Sequence, residues 1–189
     1  MSRLPLVDAN SAPAASKPLV EQVQRNNGFL PNLVATLANA PAALEAYLTV
    51  GEINSRSGLT LAEREAVQIT AAGIHGCGFC VAGHSKIATL KAQLDAPVVT
   101  ALRDGTAVPD ARLEAVAVFT RAVIAHRGAV PDDALAAFRA AGFSDANALE
   151  VVLGVSLATL CNFANNLAGN DLNPELASFA WHGLAAAQA

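Results

Sequence analysis

Charge is scarce in this chain, and basic charge is nowhere concentrated. Charged residues make up 15% of the 189 positions, with 12 Lys and Arg against 16 Asp and Glu, and no Lys/Arg run occurs. Nucleic-acid binding normally leaves a basic patch or stripe, so that class of function is excluded. Strand signals are missing too: there is one Trp, one Tyr and seven Phe, and no Asn-Gly or Asp-Gly turn separates two alternating runs. The amino-terminal stretch MSRLPLVDANSAPAASKPLV lacks a continuous apolar core of signal-peptide length, and positions 1–16 read as an irregular arm. Three cysteines, an odd number, do not make a secreted disulfide framework, and a cytoplasmic protein is expected.

A run of 18 or more apolar residues is also absent. Two stretches, 66–85 and 151–170, contain no Asp, Glu, Lys or Arg. The first carries Gln68, His75 and His84, and the second Asn162, Asn165, Asn166 and Asn170. They read as helices buried in an oligomer rather than membrane spans. Hydrophobic residues reach 53%, and a subunit interface is the simplest place for the surplus.

What is present favours helix. Ala, Leu and Glu dominate, and prolines fall where helices should open: Pro31, Pro41, Pro97, Pro109, Pro131 and Pro174. Gly28, Gly58 and Gly142 stand at helix ends. The pattern predicts helices near 17–26, 32–39, 42–56, 61–75, 78–94, 97–104, 110–126, 132–141, 145–168 and 174–186 in one all-α domain spanning 1–189. Thr60 with Glu63 is a capping-box pattern, and Ser144 or Asp145 caps the ninth helix. A shift of 85 residues lays Glu65 on Glu150 and Cys77-x-x-Cys80 on Asn162-x-x-Asn165. Two readings stay open: a duplicated helical hairpin giving two related halves, or chance in an Ala-rich chain.

The chemistry concentrates in Cys77-Gly78-Phe79-Cys80-Val81-Ala82-Gly83-His84. On one helix Cys77, Cys80 and His84 stand at i, i+3 and i+7 and share a face. Gly73, Gly76 and Gly78 permit a sharp break just before it, which places the cysteines in a first helical turn. Unpaired N–H groups there favour a thiolate. A free thiol with a pKa of about 8.5 is only roughly 3% ionised at pH 7; making thiolate the majority form takes roughly 2.7 kcal/mol of preferential stabilisation. Glu65 is the candidate to orient His84 and carry a proton, provided the two helices bring it there. The competing readings are a structural or metal-binding C-x-x-C, a surface His84 and a first-turn Glu65. His75 reads as a helix cap and Cys161 as an inert core thiol. No second C-x-x-C or Cys/His pair completes a zinc site, so neither metal nor cofactor is expected.

The spacing E-x11-C-x-x-C-x-x-x-H, carried by Glu65, Cys77, Cys80 and His84, resembles the core signature of the alkylhydroperoxidase D family within the carboxymuconolactone decarboxylase superfamily. Asn27-Gly28-Phe29-Leu30-Pro31-Asn32, Phe119-Thr120 and Asn162–Asn166 are similar to its longer peroxidase-related members. The resemblance implies an all-α, alkylhydroperoxidase D-like fold assembling as a homo-oligomer, a trimer or hexamer. It implies that Cys80 attacks an organic hydroperoxide, Cys77 resolves the sulfenic acid as a disulfide, and His84 with Glu65 deprotonates Cys80. It also implies a thiol or a lipoyl-bearing protein as reductant. Phe79 departs from relatives that carry a His between the cysteines, and Phe cannot move a proton; a general disulfide reductase fits the same residues. Two further functions compete: a decarboxylase-type lyase, which has no need of a dithiol, and a non-catalytic, redox-sensing helical oligomer.

Overall fold

A computed structural model describes residues 2–183. Its helices are α1 (Lys17–Asn27), α2 (Asn32–Leu37), α3 (Pro41–Ser55), α4 (Leu61–Ile74), α5 (Gly78–Leu90), α6 (Ala96–Asp104), α7 (Ala111–Ala125), α8 (Asp132–Ala140) and α9 (Asp145–Ala168), followed by a 3-10 turn, Pro174–Phe179. Among the described residues there is no strand. The all-α reading holds, and the arm before α1 is irregular as expected. Its backbone is nonetheless tied down: Arg3 N–H donates to the Ala168 carbonyl at 2.6 Å and Val7 N–H to Ala35 at 3.2 Å.

Two expected helices are shorter. The fifth stops at Leu90 rather than 94 because Ala92 and Leu94 turn back to the carbonyls of Ile87 and Ala88, with Gln93 in the left-handed region at φ 56°. The last is a single 3-10 element ending at Phe179; residues 184–186 of that expectation lie outside the described residues. Cap chemistry explains the well-placed starts. Thr60 Oγ1 accepts from Glu63 N–H while Glu63 accepts from Thr60 N–H, and Ser144 and Asn147 form the same reciprocal pair. The site expected of Gly58 is different: it closes no helix, and its N–H donates to Glu150 Oε1 at 2.6 Å.

α4 is the central element, with Glu63 and every residue from Glu65 to Ala72 buried. On one side a core gathers α6, α7 and α8, where the Phe138 ring stacks on Phe119 and Phe143 at centroid distances of 4.2 and 4.3 Å. On the other side, α1, α2, α3, the start of α5 and the second half of α9 enclose Cys77, Cys80 and Cys161. Glu63 also binds the Arg112 guanidinium, which lies 4.0 Å over the Phe143 ring and locks α7 onto α4. The 85-residue echo is not kept as a second hairpin. The first copy breaks at residues 75–77, whereas α9 runs unbroken for 24 residues.

α9 is the one helix among the described residues long and apolar enough to cross a membrane by length and composition, and a third of that window (33%) is buried against the rest of the protein. Its outward positions Leu149, Val152, Phe163 and Leu167 are exposed.

Candidate active site

The hinge between α4 and α5 builds the site. His75 closes α4, Gly76 takes a left-handed conformation at φ 67°, and Cys77 is the N-cap of α5. A side chain at 76 would be strained, so glycine is required there. Gly78 is needed for a different reason: a Cβ on it would meet the Trp181 carbonyl oxygen at 3.0 Å, where the C-terminal segment crosses the start of α5. This short hinge makes α4 and α5 an antiparallel hairpin. Glu65 lies ten residues before His75 and His84 seven after Cys77, and the offset between the two helices brings Glu65 to His84.

The Glu65–His84 contact is direct: Nδ1 of His84 lies 2.8 Å from Glu65 Oε2, with the carboxylate buried and the imidazole 27% exposed. Burial alone pulls the His84 pKa down, but the charge and hydrogen bond of Glu65, helped by the charge on Cys77, outweigh it and raise the value. With Nδ1 held by Glu65, Nε2 is left for a reacting proton. Glu65 reaches the imidazole, while the cysteines lie nearer the hinge.

The two thiols of the pair differ in how readily they ionise. As N-cap, Cys77 Sγ accepts the backbone N–H of Cys80 at 3.4 Å, and Asn165 Nδ2 donates to the same sulfur at 3.5 Å. The hydrogen bond from the Cys80 thiol lowers the Cys77 pKa; burial opposes it, and the Cys80 N–H, Asn165 and His84 add to the lowering. Cys80 is pushed well up, first by that same hydrogen bond, then by burial and the charge on Cys77. The stabilisation of a thiolate expected at this helix start therefore falls on Cys77 rather than on Cys80. All three cysteines are free thiols.

Exposure to substrate follows the opposite order. A cavity of about 780 Å³ is walled by α3, α4 and α5, and Cys80 and His84 line it while Cys77 does not. Cys161 lines it as well, but burial pushes its pKa up to about 12, in keeping with an inert thiol. Phe79 separates this cavity from a smaller one of about 530 Å³ beside Asn165 and Trp181. Among the described residues, no three His, Cys, Asp or Glu side chains converge as a metal-ligand group.

His75 stays outside the proton path. Burial lowers its pKa, its Nδ1 faces Asn162 Nδ2 at 3.0 Å, and its carbonyl accepts from Asn166 Nδ2 at 2.8 Å. The asparagines of α9 thus hold the hinge and the Cys77 sulfur in place. Of these, Asn165 stood in the sequence among the asparagines of the second charge-free stretch and as the echo of Cys80, with no contact to a cysteine indicated. Replacing it with alanine is expected to move the thiolate titration of the dithiol to higher pH, followed by absorbance at 240 nm, with α9 helicity unchanged.

Sequence reasoning also missed Tyr47, Asn54 and Arg64. They sit on the cavity faces of α3 and α4, and no chemical motif marks them. Burial, then the charges of Cys161 and Cys80, raise the Tyr47 pKa, which keeps it a neutral phenol.

An all-helical protein with a C-x-x-C thiolate at a helix start and a buried Glu–His pair defines the class. Residues 41–121 match the carboxymuconolactone decarboxylase family. No curated protein sequence matches the chain. Among solved structures, the alkylhydroperoxidase AhpD core of an uncharacterized peroxidase-related protein from Ralstonia eutropha JMP134 superposes with TM-score 0.83 at 25% identity, covering 93% of this chain and 94% of that one. A peroxidase-related protein from Silicibacter sp. TM1040 follows at 0.78 and 20% identity, with 92% of each chain covered. The debrominase Bmp8 in its apo form has a TM-score of 0.75 at 17% identity over 93% and 94% of the two chains. Over residues 41–121 the chain thus matches the carboxymuconolactone decarboxylase family, and its fold is that of the alkylhydroperoxidase D-like structures.

Proposed function

We propose that this protein is a thiol-dependent hydroperoxide reductase in which Cys80 is the attacking sulfur. The observation that carries the reading is that Cys80, Glu65 and His84 line one cavity while Cys77, the thiol of lowered pKa, does not line it. Cys80 passes its proton to Cys77 and, as thiolate, attacks the terminal oxygen of the hydroperoxide. The O–O bond breaks, Cys80 becomes a sulfenic acid, and the leaving alkoxide takes a proton from His84. Cys77 then attacks the Cys80 sulfur, forming the disulfide and releasing water. The two electrons come from the dithiol, and an external dithiol restores it.

The debrominase structure, solved also with 2,3,4-tribromopyrrole, indicates that this fold accepts substrates other than peroxides, so the oxidant is what needs testing. Reduced protein mixed with a small excess of organic hydroperoxide should lose the mass of two hydrogens, and Cys77→Ser should instead trap a sulfenic acid on Cys80. Unchanged thiols after minutes would point to the lyase or to a non-catalytic role.

The apolar outward stripe of α9 supports a homo-oligomer, a trimer or hexamer, formed through that face. A thiol or lipoyl-bearing protein is the reductant this reading calls for, and a cytoplasmic location suits a dithiol that must be kept reduced.

The Glu65–His84 pair sets a pH signature for stability. A raised imidazole pKa stabilises the folded state fully below the ordinary value of 6.5 and ceases to do so as pH rises through the folded value. The urea-unfolding difference between wild type and Glu65→Gln should therefore be largest below pH 6.5 and shrink above it. A difference that grew with pH would contradict a charged pair.

A further inference from the structure

The walls of the large cavity change character along its length. On α4, Leu61, Arg64, Glu65 and Gln68 follow at i, i+3, i+4 and i+7 and share the cavity face. On α5 the corresponding face runs from Cys80 through His84 and Ile87 to Lys91. The Glu65–His84 contact sets the register of the two helices, with Leu59 level with Leu90, and Arg64, whose guanidinium donates to the Leu59 carbonyl, is directed toward the Lys91 end of the cavity. Eleven residues at 1.5 Å each put Lys91 about 16 Å along the helix from Cys80. Between them Leu48, Leu61, Ile87 and Leu90 form apolar wall, and Lys86, which also lines the cavity, donates its Nζ to the Glu175 carbonyl at 3.1 Å.

The charge at that end is uncompensated. Among the described residues, the only carboxylate lining the cavity is Glu65, already engaged by His84. Arg64 is positioned by a hydrogen bond from its guanidinium to the Leu59 carbonyl, and among the described residues no carboxylate pairs with Arg64 or Lys91. Elsewhere in this acidic chain Arg25, Arg112, Arg121 and Arg139 each have an acidic partner. On the facing helix, Asn54 is 7% exposed, lines the same cavity, and its Oδ1 has no hydrogen-bond partner. A buried amide left in this way costs about 1–3 kcal/mol, which a polar group on a bound molecule would recover.

We propose that the cavity takes a long-chain organic hydroperoxide bearing a terminal carboxylate, with the carboxylate held at Arg64 and Lys91, the chain along the apolar walls, and the hydroperoxyl group at Cys80. This rests on the hydroperoxide reading above and names its substrate class. A guanidinium and an ammonium at one end select an anionic head. The span to Cys80 matches the separation of carboxylate and hydroperoxyl group in a hydroperoxide of an unsaturated fatty acid. A small peroxide would touch only one end.

The test compares linoleic acid hydroperoxide with its methyl ester, using dithiothreitol as reductant. The acid is expected to show a KM roughly tenfold lower than the ester, and Arg64→Gln/Lys91→Gln should bring the two together. Lys91→Gln alone, at an exposed position that no fold contact requires, should close part of the gap and guards against a folding defect in the double variant. Equal KM values for acid and ester in the wild type would overturn the proposal while leaving peroxide reduction intact. A second measurement separates the two readings: calorimetric binding of linoleate to Cys80→Ser, which cannot turn over. Binding weakened roughly tenfold by the Arg64/Lys91 changes supports the carboxylate site even if hydroperoxides are not consumed. Binding indifferent to those changes overturns it.

Discussion

Cys80→Ser should lower hydroperoxide turnover by roughly a thousandfold or more, with Cys77→Ser retaining one stoichiometric reaction and no cycle. The asymmetry follows from where the sulfurs stand. Cys77 has the lower pKa, but it is fully buried behind its partner and does not line the cavity. Cys80 has the higher pKa and the open face. Nucleophilic attack needs both charge and access, so the thiolate must pass from Cys77 to Cys80 by one proton transfer along their hydrogen bond. Serine at 80 offers no sulfur at the cavity and leaves the thiolate of Cys77 out of reach. Stopped-flow reaction of each variant with cumene hydroperoxide, followed by free-thiol counting, checks the assignment. A Cys80→Ser protein that reacts as fast as wild type would reverse the roles of the two cysteines.

The second large effect is on stability. Gly154 lies where α9 crosses α4, and a Cβ there would come within 2.9 Å of Val67 Cγ1. Val67 is β-branched and 1% exposed, so it has no rotamer into which to retreat. Gln68 also donates to the Gly154 carbonyl at 2.9 Å, which holds the helices at this distance. Gly154→Val is expected to cost about 3 kcal/mol by overpacking. Because the same crossing sets Asn162 and Asn165 against His75 and Cys77, the variant should also raise the pH at which the dithiol ionises. Urea unfolding and thiolate absorbance test the two effects in one protein. A loss of stability with an unmoved thiolate titration would show that the asparagine contacts do not depend on this crossing.

Local chemistry made much of the fold legible. The reciprocal caps at Thr60 and Ser144 and the prolines opening α3 and α6 act within a few residues of one another, so their meaning survives outside the tertiary context. The end of α5 was harder to read, since the turn at 91–94 carries no glycine and relies on Gln93 adopting a positive φ. The C-terminal segment reads as helix by composition, yet it becomes a 3-10 turn and an extended crossing over Gly78. Packing against α5 prevailed over propensity there.

The site divides along the same line. Glu65, Cys77, Cys80 and His84 could be named from spacing because helical periodicity puts three of them on one face. By itself the sequence thus determined an all-helical chain and singled out the candidate site residues, since both depend on short-range geometry. Only the tertiary structure decided which thiol ionises more readily, which one meets the cavity, and that Arg64, Lys91 and Asn54 line it. Those properties arise between helices distant in the chain, where burial and hydrogen bonds from Asn165 and Glu65 set the electrostatics.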